Sequence, residues 1–267
     1  MNPRYKLLTL FFSLAVVLFT IVMLKGALKS PTNCPEGMVG VPSGRVHVVY
    51  SGERWGGTVV KKVRIKHFCI DKYEASQPDA TDVSMGSWDG IAPPPPARSV
   101  KGVIPWSQIP WTKAKIACQK AGKRLPSLAE WQMAFSGFSG MTWPWGNKWQ
   151  PGTCYADMNL GSHPTGGCCF TIPASEGGPF ETCDMVGNVS EWVDEYWDKK
   201  CFGDMQVMIA GGPSHYPHFQ ENTQSPNQRS GCWDWVRYSL MRSGLHFHPS
   251  NDQGYSDDGF RCVSSPG

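Results

Sequence analysis

The sequence predicts an irregular α+β domain with little regular secondary structure, preceded by one N-terminal transmembrane helix. Three observations carry this. The 267 residues hold 29 glycines, 22 prolines and 12 tryptophans, a composition of turns and loops in which aromatic rings supply much of the buried area. An uncharged apolar run covers Leu7 to Leu24, and only two later stretches, both short, repeat apolar residues at helical spacing. All 10 cysteines follow the apolar run.

The apolar run is long enough to span a bilayer and is flanked by Arg4 and Lys6 before it and Lys25 and Lys29 after it. A cleaved signal peptide would have a shorter apolar core and small residues before the cut, whereas Lys25 interrupts the Gly26-Ala27 site, so a retained signal anchor is the expectation. Pro31, Thr32 and Asn33 do not form the small-residue stretch that precedes a lipidated cysteine, which argues against lipidation at Cys34. Residues 1–30 are therefore assigned to the anchor and 31–267 to the folded domain.

An even number of cysteines beyond an export segment points to an oxidising compartment and a disulfide framework. Zinc-finger spacing fails, because no CxxC pair occurs and Cys168 adjoins Cys169. The expected arrangement is a single-pass membrane protein with a periplasmic or extracellular C-terminal domain. Charged residues are 18% of the chain and the formal charge is +3, without the basic blocks that nucleic-acid binding needs, so no nucleic-acid partner is expected.

Along the domain, Pro31 to Gly44 forms a Pro/Gly-containing lead-in. "TVVKKVRIKHFCIDKYEAS" alternates at Val63 and Ile65 and shifts register at Phe68 and Ile70, which reads as one strand with a bulge. Gln77 to Ser99 is a polar loop with four consecutive prolines, Pro93 to Pro96. "PWTKAKIACQKAGK" supplies a short helix, with Thr112 as N-cap, Ala114, Ala117, Cys118 and Ala121 on one face and Gly122 as terminator. In "RLPSLAEWQMAF", Ser127 and Glu130 form a capping box ahead of Leu128, Trp131 and Phe135. Beyond Phe138 the chain reads as short strands, glycine turns and aromatics.

Seven stretches together carry a family resemblance: "CPEGMVGVPSG" (34–44), "FCIDKYEAS" (68–76), "IPWTKAKIACQKAGKRLPSLAEWQMAF" (109–135), "WPWGNKWQP" (143–151), "DMVGNVSEW" (184–192), "IAGGPS" (209–214) and "GFRCV" (259–263). In this order they resemble the formylglycine-generating enzyme, or sulfatase-modifying-factor, family. The resemblance implies one irregular C-type-lectin-like α+β domain and a disulfide between Cys118 and Cys262. Cys34 with Cys69 is the second expected bridge, since both flank the lead-in, although the number of cysteines permits many connectivities.

Catalytic members of that family oxidise a client cysteine with copper(I) held by two closely spaced cysteines after a Gly-Gly-Ser stretch, and soft thiolates suit that ion. Here Gly211-Gly212-Pro213-Ser214 is followed by no cysteine until Cys232, and Tyr216 stands about where the first should be. No copper is therefore expected. A related branch, the sulfoxide synthases, adds a helical iron-binding domain for which no residues remain here; another matures a siderophore chromophore without a cysteine pair.

Three groups of candidate site residues follow. In "VGNVSE", Val186, Gly187, Asn188 and Val189 offer backbone or amide oxygens and Glu191 a carboxylate, matching a family calcium loop, with structural calcium the expected cofactor. A weaker calcium site falls on Asp157 and Met158. The alternatives for the first are a capped turn, with Asn188 or Ser190 serving the first amides of a helix, and an N-glycosylation acceptor at Asn188-Val189-Ser190. His215 and His218, with His246 and His248, are a candidate imidazole metal site. Tyr216, Trp233 and Arg242 are candidates for lining a ligand groove, against a reading in which Trp233 is core and Arg242 and Arg261 form internal ion pairs.

These readings converge on a membrane-anchored, non-catalytic binding or accessory subunit of a membrane or envelope complex, with protein partners. The alternatives are a metal-dependent oxidase or maturation enzyme with a non-cysteine site, and a lectin-like ligand receptor.

Overall fold

The computed structural model describes residues 34–52, 57–141, 143–146, 154, 162–178, 180–196, 207–212, 245–248 and 258–266. The anchor assigned to 7–24, Asp157, Met158, His215, Tyr216, His218, Trp233 and Arg242 lie outside the described residues. Among the described residues, no helix is long and apolar enough to cross a membrane.

The chain enters through β1 (Met38–Val41) and the hairpin β2 (Gly44–Gly52) and β3 (Gly57–Ile65), then β4 (Phe68–Asp71), β5 (Ala75–Ser76) and β6 (Arg98–Ser99). Two helices follow, α1 (Trp111–Lys120) and α2 (Leu128–Ser136). The remaining strands are β7 (Cys169–Ile172), β8 (Phe180–Cys183), β9 (Gly187–Tyr196), β10 (Val207–Gly212), β11 (Leu245–His248), β12 (Asp258–Gly259) and β13 (Val263–Ser264). Two short helices among many small strands match the expected α+β class.

The strands form small sheets rather than one large one. β1, β4 and β13 make an antiparallel sheet, and β11-β10-β9-β12 a second, in which β12 runs parallel to β9; β2–β3, β5–β6 and β7–β8 are two-stranded. The expected continuous bulged strand over 58–76 is corrected: β3 ends at Ile65, and β4 starts a different sheet at Phe68. Both sides of the break bury apolar side chains, Ile65 against Phe68, Cys69 and Ile70, so alternation alone could not separate a bulge from a change of sheet.

Helix α2 has the expected capping box: Ser127 accepts from the Glu130 amide and the Glu130 side chain accepts from the Ser127 amide. Leu128, Trp131 and Phe135 are buried in one apolar core with Phe68, Ile70 and Val263. The N-cap expected at Thr112 is corrected to Pro110, with no side-chain cap. Proline's fixed φ, here −62°, suits that position and lets Trp111 start the helix one residue before Thr112. Ala114, Ala117 and Cys118 of α1 pack with Trp106, Trp192 and Phe260 in a second core. Trp111 and Trp192 tie α1 to β9 by donating their indole N–H groups to the carbonyls of Val193 (3.0 Å) and Ile109 (2.8 Å).

Among the described residues, four disulfides lock this framework. Both expected pairs, Cys34–Cys69 and Cys118–Cys262, are present, and Cys154–Cys168 and Cys169–Cys183 join them. The adjacent cysteines thus serve different bridges, one of them across β7 and β8, where Cys169 faces Cys183 in register.

Candidate functional site

The segment from Asp184 to Glu191 leaves β8 through a turn and becomes β9. Asp184, Gly187 and Asn188 hold φ values of 57°, 86° and 60°, a left-handed backbone that glycine, asparagine and aspartate tolerate best. The helix-cap alternative for Asn188 and Ser190 is corrected here, because both residues lie in a strand. The alternation of Val189, Glu191 and Val193 is that of a strand, but the Gly-Asn start resembled a cap.

The side chains of this segment meet a buried charge cluster. Glu191 is fully buried: Arg261 donates from Nε to Oε2 (2.7 Å) and from Nη2 to Oε1 (2.6 Å), and Trp131 Nε1 donates to Oε2 (2.8 Å). Arg261 also reaches the carbonyls of Asp71 (3.1 Å), Lys72 (3.2 Å) and Cys183 (2.8 Å). All five guanidinium donors are thereby used. The internal ion-pair reading of Arg261 is the one the structure supports, with Glu191 as partner.

Asn188 is equally committed. Its Oδ1 accepts from the His163 amide (2.7 Å), and its Nδ2 donates to the His163 carbonyl (3.1 Å) and to Glu74 Oε2 (2.5 Å). It is 4% exposed, so the folded chain does not offer this nitrogen to a glycosylating enzyme. Glu74 Oε1 accepts from the Val189 amide (3.2 Å). Asp184 accepts from the amides of Gly166 and Cys168.

Three carboxyls, Glu74, Asp184 and Glu191, therefore surround one guanidinium. Burial, followed by the charges of Asp184 and Glu191, pushes Glu74 well above the ordinary carboxyl range. Burial also raises Asp184 against the pull of its backbone hydrogen bonds. Sequence reasoning missed Glu74 and Asp184 as members of this cluster. The available signal was the position of Glu74 and Asp184 within two of the stretches that carry the family resemblance, "FCIDKYEAS" and "DMVGNVSEW".

The five positions assigned to calcium do fall in one turn and strand start. Yet Glu191 faces Arg261 and Trp131 with both oxygens, and the Asn188 oxygen faces His163. Neither side chain fits a calcium ion in this arrangement, since a cation on Glu191 would sit against a guanidinium. His246 and His248 lie on β11, paired with Ile209 and Val207 of β10; their histidine partners in the expected metal site are outside the described residues. On the other side of β10, Gly211 pairs with Ser190 and Gly212 with Gly187. The point after which the family resemblance expects two cysteines therefore adjoins the charge cluster.

Comparison with known proteins agrees with this architecture. The model of the sulfatase-modifying factor enzyme 1-like domain matches residues 25–266. The chain is 31% identical over 169 residues to the formylglycine-generating enzyme of Bos taurus, covering 60% of this chain and 44% of that protein. It is 27% identical over 194 residues to the inactive C-alpha-formylglycine-generating enzyme 2 of Bos taurus, covering 69% of this chain and 58% of that protein. The chain thus spans about half the length of these relatives. Among solved structures, Treponema denticola variable protein 1 shares the fold, with a TM-score of 0.51 at 14% identity over 86% of this chain and 95% of that one.

Proposed function

Because the chain belongs to the sulfatase-modifying-factor family, we propose that it keeps the family scaffold as a non-catalytic binding or accessory subunit of a membrane or envelope complex. Residues 7–24 would anchor it, with the domain on the oxidising side of the membrane.

One observation carries this reading: the sequence holds no closely spaced cysteine pair after its Gly-Gly-Pro-Ser stretch. After Gly211-Gly212-Pro213-Ser214 the next cysteine is Cys232. Eight others, Cys34, Cys69, Cys118, Cys154, Cys168, Cys169, Cys183 and Cys262, are held in disulfides. That leaves Cys201 and Cys232, outside the described residues and thirty-one positions apart in the sequence, without the close spacing at which the family resemblance places the two thiolates. One bovine relative is itself named inactive, which supports a family scaffold serving without the oxidase activity.

At the charge cluster, the committed oxygens of Asn188 and Glu191 favour a protein-only clip built on Arg261 over a calcium-dependent one.

The test uses the full chain purified in mild detergent. Incubated with copper(I), oxygen and a cysteine-bearing client peptide, it should leave the cysteine unchanged by mass spectrometry, while affinity purification from its own membranes should return a stoichiometric membrane partner. Conversion of the cysteine to the aldehyde would overturn the non-catalytic reading. A chain that purifies alone would overturn the subunit.

A further inference from the structure

The stretch from Ile91 to Arg98, Ile-Ala-Pro-Pro-Pro-Pro-Ala-Arg, has no part in the charge cluster. Proline fixes φ near −65°, and a residue that precedes proline is steered out of the helical region, so after a bend at Ala92 the chain from Pro93 to Pro96 is driven toward a polyproline II helix. Such a helix has three residues per turn and hence three edges. Burial follows that period. Pro94 and Ala97 are buried, Pro93 and Pro96 are exposed, Pro95 is half-buried and Arg98 is exposed.

Helix α1 explains the buried edge. Lys120 Nζ donates to the Pro94 carbonyl (2.7 Å), and the Ala97 amide donates to the Ala117 carbonyl (3.1 Å). The segment is held at both ends as well: Trp88 Nε1 donates to the Ala92 carbonyl (2.9 Å), and β6 pairs Arg98 with Ser76. What remains outward is two dipeptides, Ala92-Pro93 and Pro95-Pro96, with Arg98 two residues further on. Aromatic-lined grooves read polyproline in this form, taking x-Pro dipeptides from two edges and leaving the spacer residue turned away. Here the spacer, Pro94, is turned into the scaffold, and the ordering cost of binding has already been met by folding.

A second observation places a partner here. The large hydrophobics exposed among the described residues are Val83 (86%), Ile91 (83%) and Ile116 (37%). Val83 lies elsewhere on the loop, whereas Ile91 directly precedes Ala92, and Ile116 adjoins Ala117, whose carbonyl accepts from the Ala97 amide. Exposed apolar side chains gathered round one feature mark an interaction surface more than scattered ones do.

We propose that the Ala92–Arg98 edge is a docking site for a partner domain with an aromatic-lined polyproline groove bearing a carboxylate for Arg98. The proposal deepens the binding reading above and rests on it.

The probe is an isolated SH3 domain of the kind that reads x-Pro-x-x-Pro-x-Arg, labelled with nitrogen-15 and titrated with the full chain in detergent. Amide shifts at the groove aromatics and its acidic residue are expected. The Pro93→Ala/Pro96→Ala double variant should bind about tenfold more weakly or worse, as should Arg98→Ala. Val83→Ser, off the polyproline edge, should leave the affinity unchanged. Unchanged melting temperatures would show that the variants fold, and Arg98→Ala serves if the double variant does not. No groove shifts with the native chain, or shifts that survive both sets of substitutions, would overturn the docking edge. That failure leaves the subunit reading to the partner purification, which does not depend on it.

Discussion

Arg261 and Glu74 show how one buried site treats charge in two ways. Arg261 is matched by Glu191 and by three carbonyls at the ends of β4 and β8, so burial, which alone would lower its affinity for the proton, is outweighed by the Glu191 charge and hydrogen bonds. Glu74 has no cation of its own and is held with a raised pKa by burial first and by Asp184 and Glu191 next. Below the ordinary glutamate value of 4.5 it is protonated in both folded and unfolded chains; above that, the unfolded chain ionises freely and the folded one resists. Stability is therefore lost as pH climbs from 4.5 toward the folded value, and Asp184 acts in the same direction. Glu74→Gln, which mimics the protonated form, should flatten that decline and give a melting temperature at neutral pH at or above the native one. A variant that falls with pH as steeply as the native chain would show Glu74 ionised in the fold. Of this pair, only Arg261 was legible in the sequence, as one of two readings, because "GFRC" sits among buried residues. The partner of a buried acid depends on contacts between positions more than a hundred residues apart, as from Glu74 to Asn188.

At the scale of elements, the turn between β8 and β9 is held to the body of the domain through Arg261, which touches the carbonyl of Cys183 at one end and Glu191 at the other. If that guanidinium is the clip, a calcium-specific chelator should leave the melting temperature unchanged. Arg261→Lys should destabilise the fold by roughly 3–5 kcal/mol, because one ammonium cannot replace a five-donor fork and Glu191 is left poorly paired. A fall on chelation, with bound calcium in the native protein, would instead place the ion in the loop. Local elements were legible to the degree that their signals were local. The α2 capping box needs only Ser127 and Glu130, three residues apart, and it formed as expected. The start of α1 went to Pro110 because backbone restriction, not a side-chain oxygen, set it. Gly187-Asn188 began a strand rather than a helix because β10 and β12 pair with β9, and neither neighbour is visible from the turn itself.

At the scale of the molecule, disulfides join small sheets and short helices among the described residues. Cys118–Cys262 closes 144 residues between α1 and the strand next to the C-terminus; on the chain-entropy account this contributes about 5 kcal/mol, among the larger values a single bridge can reach. Cys118→Ala with Cys262→Ala should therefore lower unfolding free energy by roughly 2 kcal/mol more than loss of Cys154–Cys168, which closes only 14 residues and contributes about 3 kcal/mol on the same account. Equal losses measured by denaturant unfolding would mean that local strain, not loop closure, governs the effect.

The sequence by itself determined the α+β class with few helices, the oxidised cysteine framework though not its connectivity, the second helix, and the absence of neighbouring cysteines after Gly212. Each of these is written in composition, short-range spacing or residue identity. Only the tertiary structure decided that Glu191 pairs with Arg261, that Glu74 and Asp184 join them, that 58–76 divides between sheets, and that Pro94 turns inward while Pro93 and Pro96 stay outside. Those outcomes depend on which distant surface closes over a side chain, and burial, which sets the cost of a charge and the direction of an edge, is a property of the packed chain alone.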